Sequence, residues 1–79
     1  MNFLKKEENK QLTERQTEVL CFIENYIKQH GYSPSLREIS KGVFVSKPVA
    51  QKHIMNLYDK GYIQITPRTA RSIVILKIS

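Results

Sequence analysis

Three helix-start signals follow one another between Thr13 and Pro48: Thr13 with Gln16 three places on, Ser35 with Glu38 three places on, and Ser46 with Pro48 close behind. A Ser or Thr hydroxyl accepts one of the backbone N–H groups left over at a helix start, and a Gln or Glu at the third helical position reaches back to the cap. Proline fits the first turn because its missing N–H would have had no partner there. The chain is therefore divided into helices before any hydrophobic pattern is considered. In the first, Val19, Leu20, Ile23, Tyr26 and Ile27 recur at helical spacing until Gly31, while Thr17, Cys21, Glu24 and Lys28 face the other way. Pro34 disfavours helix at Ser33, so the second begins at Leu36; it is short, buries Leu36 and Ile39, and has Gly42 available to end it. The third runs from Ser46 towards Gly61, with Ala50, Ile54, Leu57 and Tyr58 as its buried stripe and Lys47, Pro48, Gln51, Lys52 and Met55 turned outward.

Beyond Gly61 the period changes. Tyr62 to Ile65 and Ser72 to Lys77 are aromatic and β-branched, separated by Thr66-Pro67-Arg68-Thr69-Ala70-Arg71, which predicts a hairpin with arginines in its loop. The expected class is mostly α with a β-hairpin (α+β), a three-helix winged helix-turn-helix. Residues 1–11 lack periodicity and read as a mobile N-terminal arm, leaving residues 12–79 as the winged domain. A chain of 79 residues holds one small domain, which buries only about 60% of its unfolded surface and leaves little core in which to enclose a catalytic pocket.

The net charge of +6 is unevenly placed: residues 39–79 hold seven Lys and Arg against Asp59 alone, while residues 1–38 balance. Such an asymmetry suits a polyanion, and nucleic acid fits better than a membrane because no basic amphipathic helix stands apart from the core. One cysteine excludes an internal disulfide, and one cysteine with two histidines lacks zinc-site spacing. Cys21 is expected to be an inert exposed residue in a reducing cytoplasm. His53 reads as a hydrogen-bonded structural residue and His30 as a helix C-terminal residue in the dipole field. Tyr58 and Tyr62 read as core. No grouping of nucleophile, base and acid suggests catalysis, so the expectation is a protein that is not an enzyme and takes no cofactor, no metal and no membrane.

A short helix, a tight turn and a third helix with a polar N-terminal half form a unit that enters the major groove of double-stranded DNA. Ser46 and the N–H groups of the first turn of that helix can hold a phosphate. Gln51 has the chemistry to read adenine, Lys47 or Lys52 guanine, and Val49 a thymine methyl. Arg68 and Arg71, with Thr69 between them, would grip the neighbouring backbone or minor groove from the wing. RNA fits less well, since no aromatic stacking platform is evident.

The stretch QLTERQTEVLCFIENYIKQHGYSPSLREIS, then HIMNLYDKGYIQI and ARSIVIL, resembles the DNA-binding domain of LexA repressors across residues 11–76. The likeness is carried by Leu12-Thr13-x-Arg15-Gln16, Gly31-Tyr32-x-Pro34-Ser35-x-Arg37-Glu38-Ile39, His53-Ile54, Lys60-Gly61 and Arg71-x-Ile73. It implies a duplex-binding winged domain in which Ser46, Pro48, Val49, Gln51 and Lys52 hold the base-reading positions, counted back from His53. The segment between Ile39 and His53 is one residue shorter than the family pattern, and Phe44 stands where such turns usually have glycine. A turn strained there, or reshaped around Gly42, is expected. Pro48 and Lys52 also differ from the family's usual residues, so its operator does not carry over.

Because the sequence ends at Ser79, it is expected to lack the Ser/Lys self-cleaving domain that the resemblance implies C-terminal to this one, and with it that domain's dimer contacts. The last strand is the candidate replacement: Val74, Leu76 and Ile78 add a second apolar face to the one made by Ile73 and Ile75. That face would serve a homodimer or another protein, pack on the arm carrying Phe3 and Leu4, or stay exposed. Two functions follow. One is a sequence-specific repressor or autorepressor, on a mobile element by its small form. The other is a winged module that binds and inhibits a protein partner.

Overall fold

The computed structural model describes residues 11–66 and 71–77. Helix α1 spans Glu14–His30, α2 Leu36–Gly42 and α3 Lys47–Asp59, followed by β1 at Ile63–Gln64 and β2 at Val74–Ile75. Both capping boxes form. Thr13 Oγ1 accepts from Gln16 N at 3.1 Å and Gln16 Oε1 from Thr13 N at 3.2 Å. Ser35 and Glu38 do the same at 3.2 and 2.8 Å. The fold is the expected α+β winged helix-turn-helix: three helices among the described residues and an antiparallel hairpin.

The core lies where the three helices meet the root of the hairpin. Val19, Leu20 and Ile23 of α1, Ile39 of α2 with Val43 at its C-cap, Ala50, Ile54 and Leu57 of α3, and Ile63 of β1 are buried together. Tyr58 is 46% exposed, contrary to its expected place in the stripe. The reason is angular: with 3.6 residues per turn, Leu57 falls within about 20° of Ala50, whereas the next residue stands about 80° round. Leu36 and Tyr62 are half-buried rather than core.

The ladder is shorter than the two β-rich runs, pairing Ile63 with Ile75 and Gln64 with Val74. Side-chain bonds take over at its outer end, where Ser72 Oγ donates to Thr66 O at 3.0 Å and accepts from Thr66 N at 3.3 Å. At the root, Tyr62 O accepts from both Leu76 N and Lys77 N, at 2.8 and 3.2 Å.

Two helices close with a bond from the residue after a left-handed one back to the last turn. In α3 this left-handed residue is Gly61 (φ 84°), and Tyr62 N donates to Leu57 O at 3.0 Å. In α2 it is Phe44 (φ 60°), and Val45 N donates to Ser40 O at 3.0 Å. Gly42 thus does not end α2 by its own flexibility. It is the last helical residue, and a Cβ there would run into the ring of Phe22. The turn is built on Phe44, not reshaped around Gly42.

Candidate nucleic-acid interface

Helix α3 is oriented by its buried stripe. Ala50 and Leu57 have no exposed surface and Ile54 almost none, so the positions on the opposite side of the helix must face solvent. Ser46, Lys47, Pro48, Val49, Gln51, Lys52 and Met55 are all exposed there. No acidic residue lies in the first turn, and Asp59 is at the far end. Ser46 caps the helix, its Oγ accepting from Val49 N at 3.4 Å. Pro48 has no N–H and Val49's is taken by this cap, so Lys47 N–H is the one the first turn itself leaves open.

An open groove of about 350 Å³ separates α3 from the wing, with Gln51 and Met55 on one wall and Arg71, Ser72 and Ile73 on the other. Arg71, expected as a wing contact to DNA, has its guanidinium committed inside the fold. Nη1 donates to Glu38 Oε1 at 2.8 Å, Tyr26 Oη at 3.2 Å and Ser33 O at 3.3 Å, and Nη2 donates to Glu38 Oε2 at 3.0 Å. Its guanidinium carbon also sits 4.9 Å from the Tyr32 ring centroid. The guanidinium's hydrogen bonds, helped by the Ser35 backbone N–H, hold the Glu38 carboxyl down at about 2. Ile73 N adds a bond to Ser33 Oγ at 3.2 Å. The wing is thus tied to the segment that leads into α2.

Arg68 and Thr69, expected on the wing, lie outside the described residues, as do Ile78 and residues 1–10 of the expected arm. Val74 and Leu76 are 55% and 56% exposed, while Ile73 and Ile75 pack against the core, so the last strand does carry apolar side chains on both faces. Cys21 is exposed. His53 differs from expectation: its Nδ1 is buried without a hydrogen-bond partner among the described residues. Among those residues no group of His, Cys, Asp and Glu could hold a metal ion, and no helix is long and apolar enough to cross a membrane.

Two connections escaped sequence reasoning. Lys60 Nζ donates to Gln11 O at 2.7 Å and to Gln16 Oε1 at 2.8 Å, fastening the end of α3 to the start of α1. Tyr26, Ser33 and Tyr32 surround Arg71 from positions remote in the chain. The capping-box carboxylate of Glu38 and the Lys60-Gly61 pair were visible signals in the sequence, but their distant partners were not.

Comparison with known proteins decides the family. The family model described as the LexA DNA binding domain matches residues 9–72. The chain belongs to the LexA DNA-binding domain family. Over 68 residues it is 48% identical to the LexA repressor of Thermosipho melanesiensis, covering 86% of this chain and 34% of that protein. The LexA repressor of Thermotoga maritima is 43% identical over 68 residues, again 86% and 34%. That of Geobacter metallireducens is 40% identical over 67 residues, 84% and 33%. The chain therefore spans about a third of the length of these LexA repressors. The LexA match takes in all three helices and the wing up to Ser72.

Proposed function

We propose that this LexA-type domain binds a specific double-stranded DNA sequence and acts in the cytoplasm as a repressor or autorepressor of transcription. The observation that carries this reading is the outward face of α3. It exposes Lys47, Gln51 and Lys52 with no acidic side chain in its first turn, on a chain of net charge +6. Gln51 and Lys52 read bases in the major groove, with Val49 on a thymine methyl, while Ser46 and Lys47 dock a phosphate and Pro48 shapes the entry of the helix. Arg68 and Thr69 meet the backbone from the wing, and Arg71 holds the wing in place. The domain carries no catalytic step.

Selection of bound duplexes from a random pool tests this directly. Enrichment of one motif at moderate salt is the expected result; no enrichment would overturn sequence-specific binding.

A symmetric pair on two half-sites supplies the specificity that one winged domain lacks. We place the pairing surface on Val74 and Leu76, continuing to Ile78, beside an open groove of about 440 Å³ lined in part by Ile27, Lys28 and Tyr32. Sedimentation on and off the selected duplex checks it: Val74→Lys should leave single-site binding and remove the paired complex. The inhibitor of a protein partner has no observation of its own in its favour.

A further inference from the structure

Phe44 combines a backbone conformation that costs stability with a side chain that gains none by burial. It adopts φ 60°, a region in which a Cβ crowds the backbone, and its side chain is 89% exposed. The same helix closure occurs at Gly61, where the left-handed residue has no Cβ and open space around it. Glycine would therefore serve the turn after α2 at least as well. Among the described residues, Phe44 packs against neither the core nor any other aromatic ring. An exposed aromatic ring held in a strained turn, with no stabilising contact among the described residues, points to a contact outside the domain.

We propose that Phe44 is a specificity-determining residue of the DNA interface, its ring covering the methyl group of a thymine at the edge of the site read by α3. This rests on the DNA-binding reading above. The location favours DNA over another protein: the turn delivers the chain straight into Ser46 and the α3 face, and the exposed Lys41 and Lys47 stand on either side of it in the sequence. The chemistry favours thymine, since the C5-methyl is the apolar group that the major groove displays.

The test uses the intact chain and the duplex it selects. Affinity is measured for the unaltered protein, Phe44→Ala and Phe44→Gly, on thymine duplexes and on duplexes carrying deoxyuridine at single positions. One thymine flanking the α3 bases is expected to respond: removing its methyl weakens the unaltered protein about fourfold, the worth of one buried carbon. Phe44→Ala should weaken binding by the same factor on thymine and show no further loss on deoxyuridine, the signature of a coupled pair. Phe44→Gly should behave alike while its Tm stays level or rises by up to about 4 °C, which separates lost contact from lost fold. Unchanged affinity of both variants overturns the proposal. So does a loss that ignores the methyl, or a change in oligomeric mass with DNA affinity intact. If the unaltered protein selects no motif, the underlying reading falls and takes the proposal with it; silent variants on a selected motif remove the proposal alone.

Discussion

Arg71 and Glu38 form a two-pronged ion pair, Nη1 to Oε1 at 2.8 Å and Nη2 to Oε2 at 3.0 Å, that ties the wing to the N-terminus of α2. Glu38 is at the same time the reciprocal partner of the Ser35 cap. One carboxylate therefore sets both where α2 begins and where the wing sits relative to the helix-turn-helix unit.

Arg71→Lys should keep the charge and lose the fork, because an ammonium cannot match both carboxylate oxygens while also reaching Tyr26 and Ser33. Helical circular dichroism should be retained. DNA affinity should weaken on all sequences alike, and the salt slope should become shallower by about 0.9, one phosphate contact's worth. An unchanged slope would show that the wing does not need this pair.

The pair also fixes a pH dependence. Glu38 is held at about 2, against an ordinary 4.5, so the folded state favours its ionised form. This contribution is complete above about 4.5, erodes as pH falls, and is gone below about 2. Thermal unfolding followed from neutral pH downward should therefore show no loss of this contribution until about pH 4.5 and a progressive loss below it. Glu38→Gln should unfold at lower temperature near pH 7 and lose less on acidification.

Lys60→Met removes the donor that joins Gln16 Oε1 and Gln11 O but keeps the aliphatic stem. Gln16 is 6% exposed, so water replaces this donor poorly. The loss should be about 1 kcal/mol, read as a Tm drop of roughly 4–8 °C in a domain of this size.

Gly42→Ala ordinarily strengthens a helix by up to about 1 kcal/mol. Here the added methyl meets the Phe22 ring, so destabilisation by about 1–3 kcal/mol is expected instead. Adding Phe22→Leu should recover part of the loss in denaturant unfolding, showing that the two positions are coupled.

On the DNA face, Lys52→Ala and Gln51→Ala should relax base preference at separate positions of the selected motif. Arg68→Ala should instead weaken every sequence equally. Competition binding with single-base variants of the motif distinguishes the two outcomes.

Much of this architecture is local. Thr13, Ser35 and Ser46 each satisfy N–H groups within three residues of themselves, so the helix starts can be read from neighbours in the sequence. The stripe of Ala50, Ile54 and Leu57 likewise orients α3 and exposes Lys47, Gln51 and Lys52 without reference to the rest of the fold. The misread positions are those whose fate depends on remote atoms. Tyr58 is apolar at near-helical spacing but turned past the edge of the core. Gly42 looks like a helix stop until Phe22 is packed on it. Arg71 looks like a free basic residue of a hairpin loop until Glu38, thirty-three positions earlier, is beside it.

The three helix-start signals between Thr13 and Pro48 thus determine by themselves where the helices begin, and the hydrophobic period determines which face of α3 is outward. Hydrogen bonds to adjacent backbone and the pitch of a helix need no tertiary information. Tertiary structure decides what closes each helix and what holds the wing. Those outcomes rest on contacts between distant segments, Phe22 on Gly42, Lys60 on Gln16 and Arg71 on Glu38. Such contacts exist only once packing has brought these residues together.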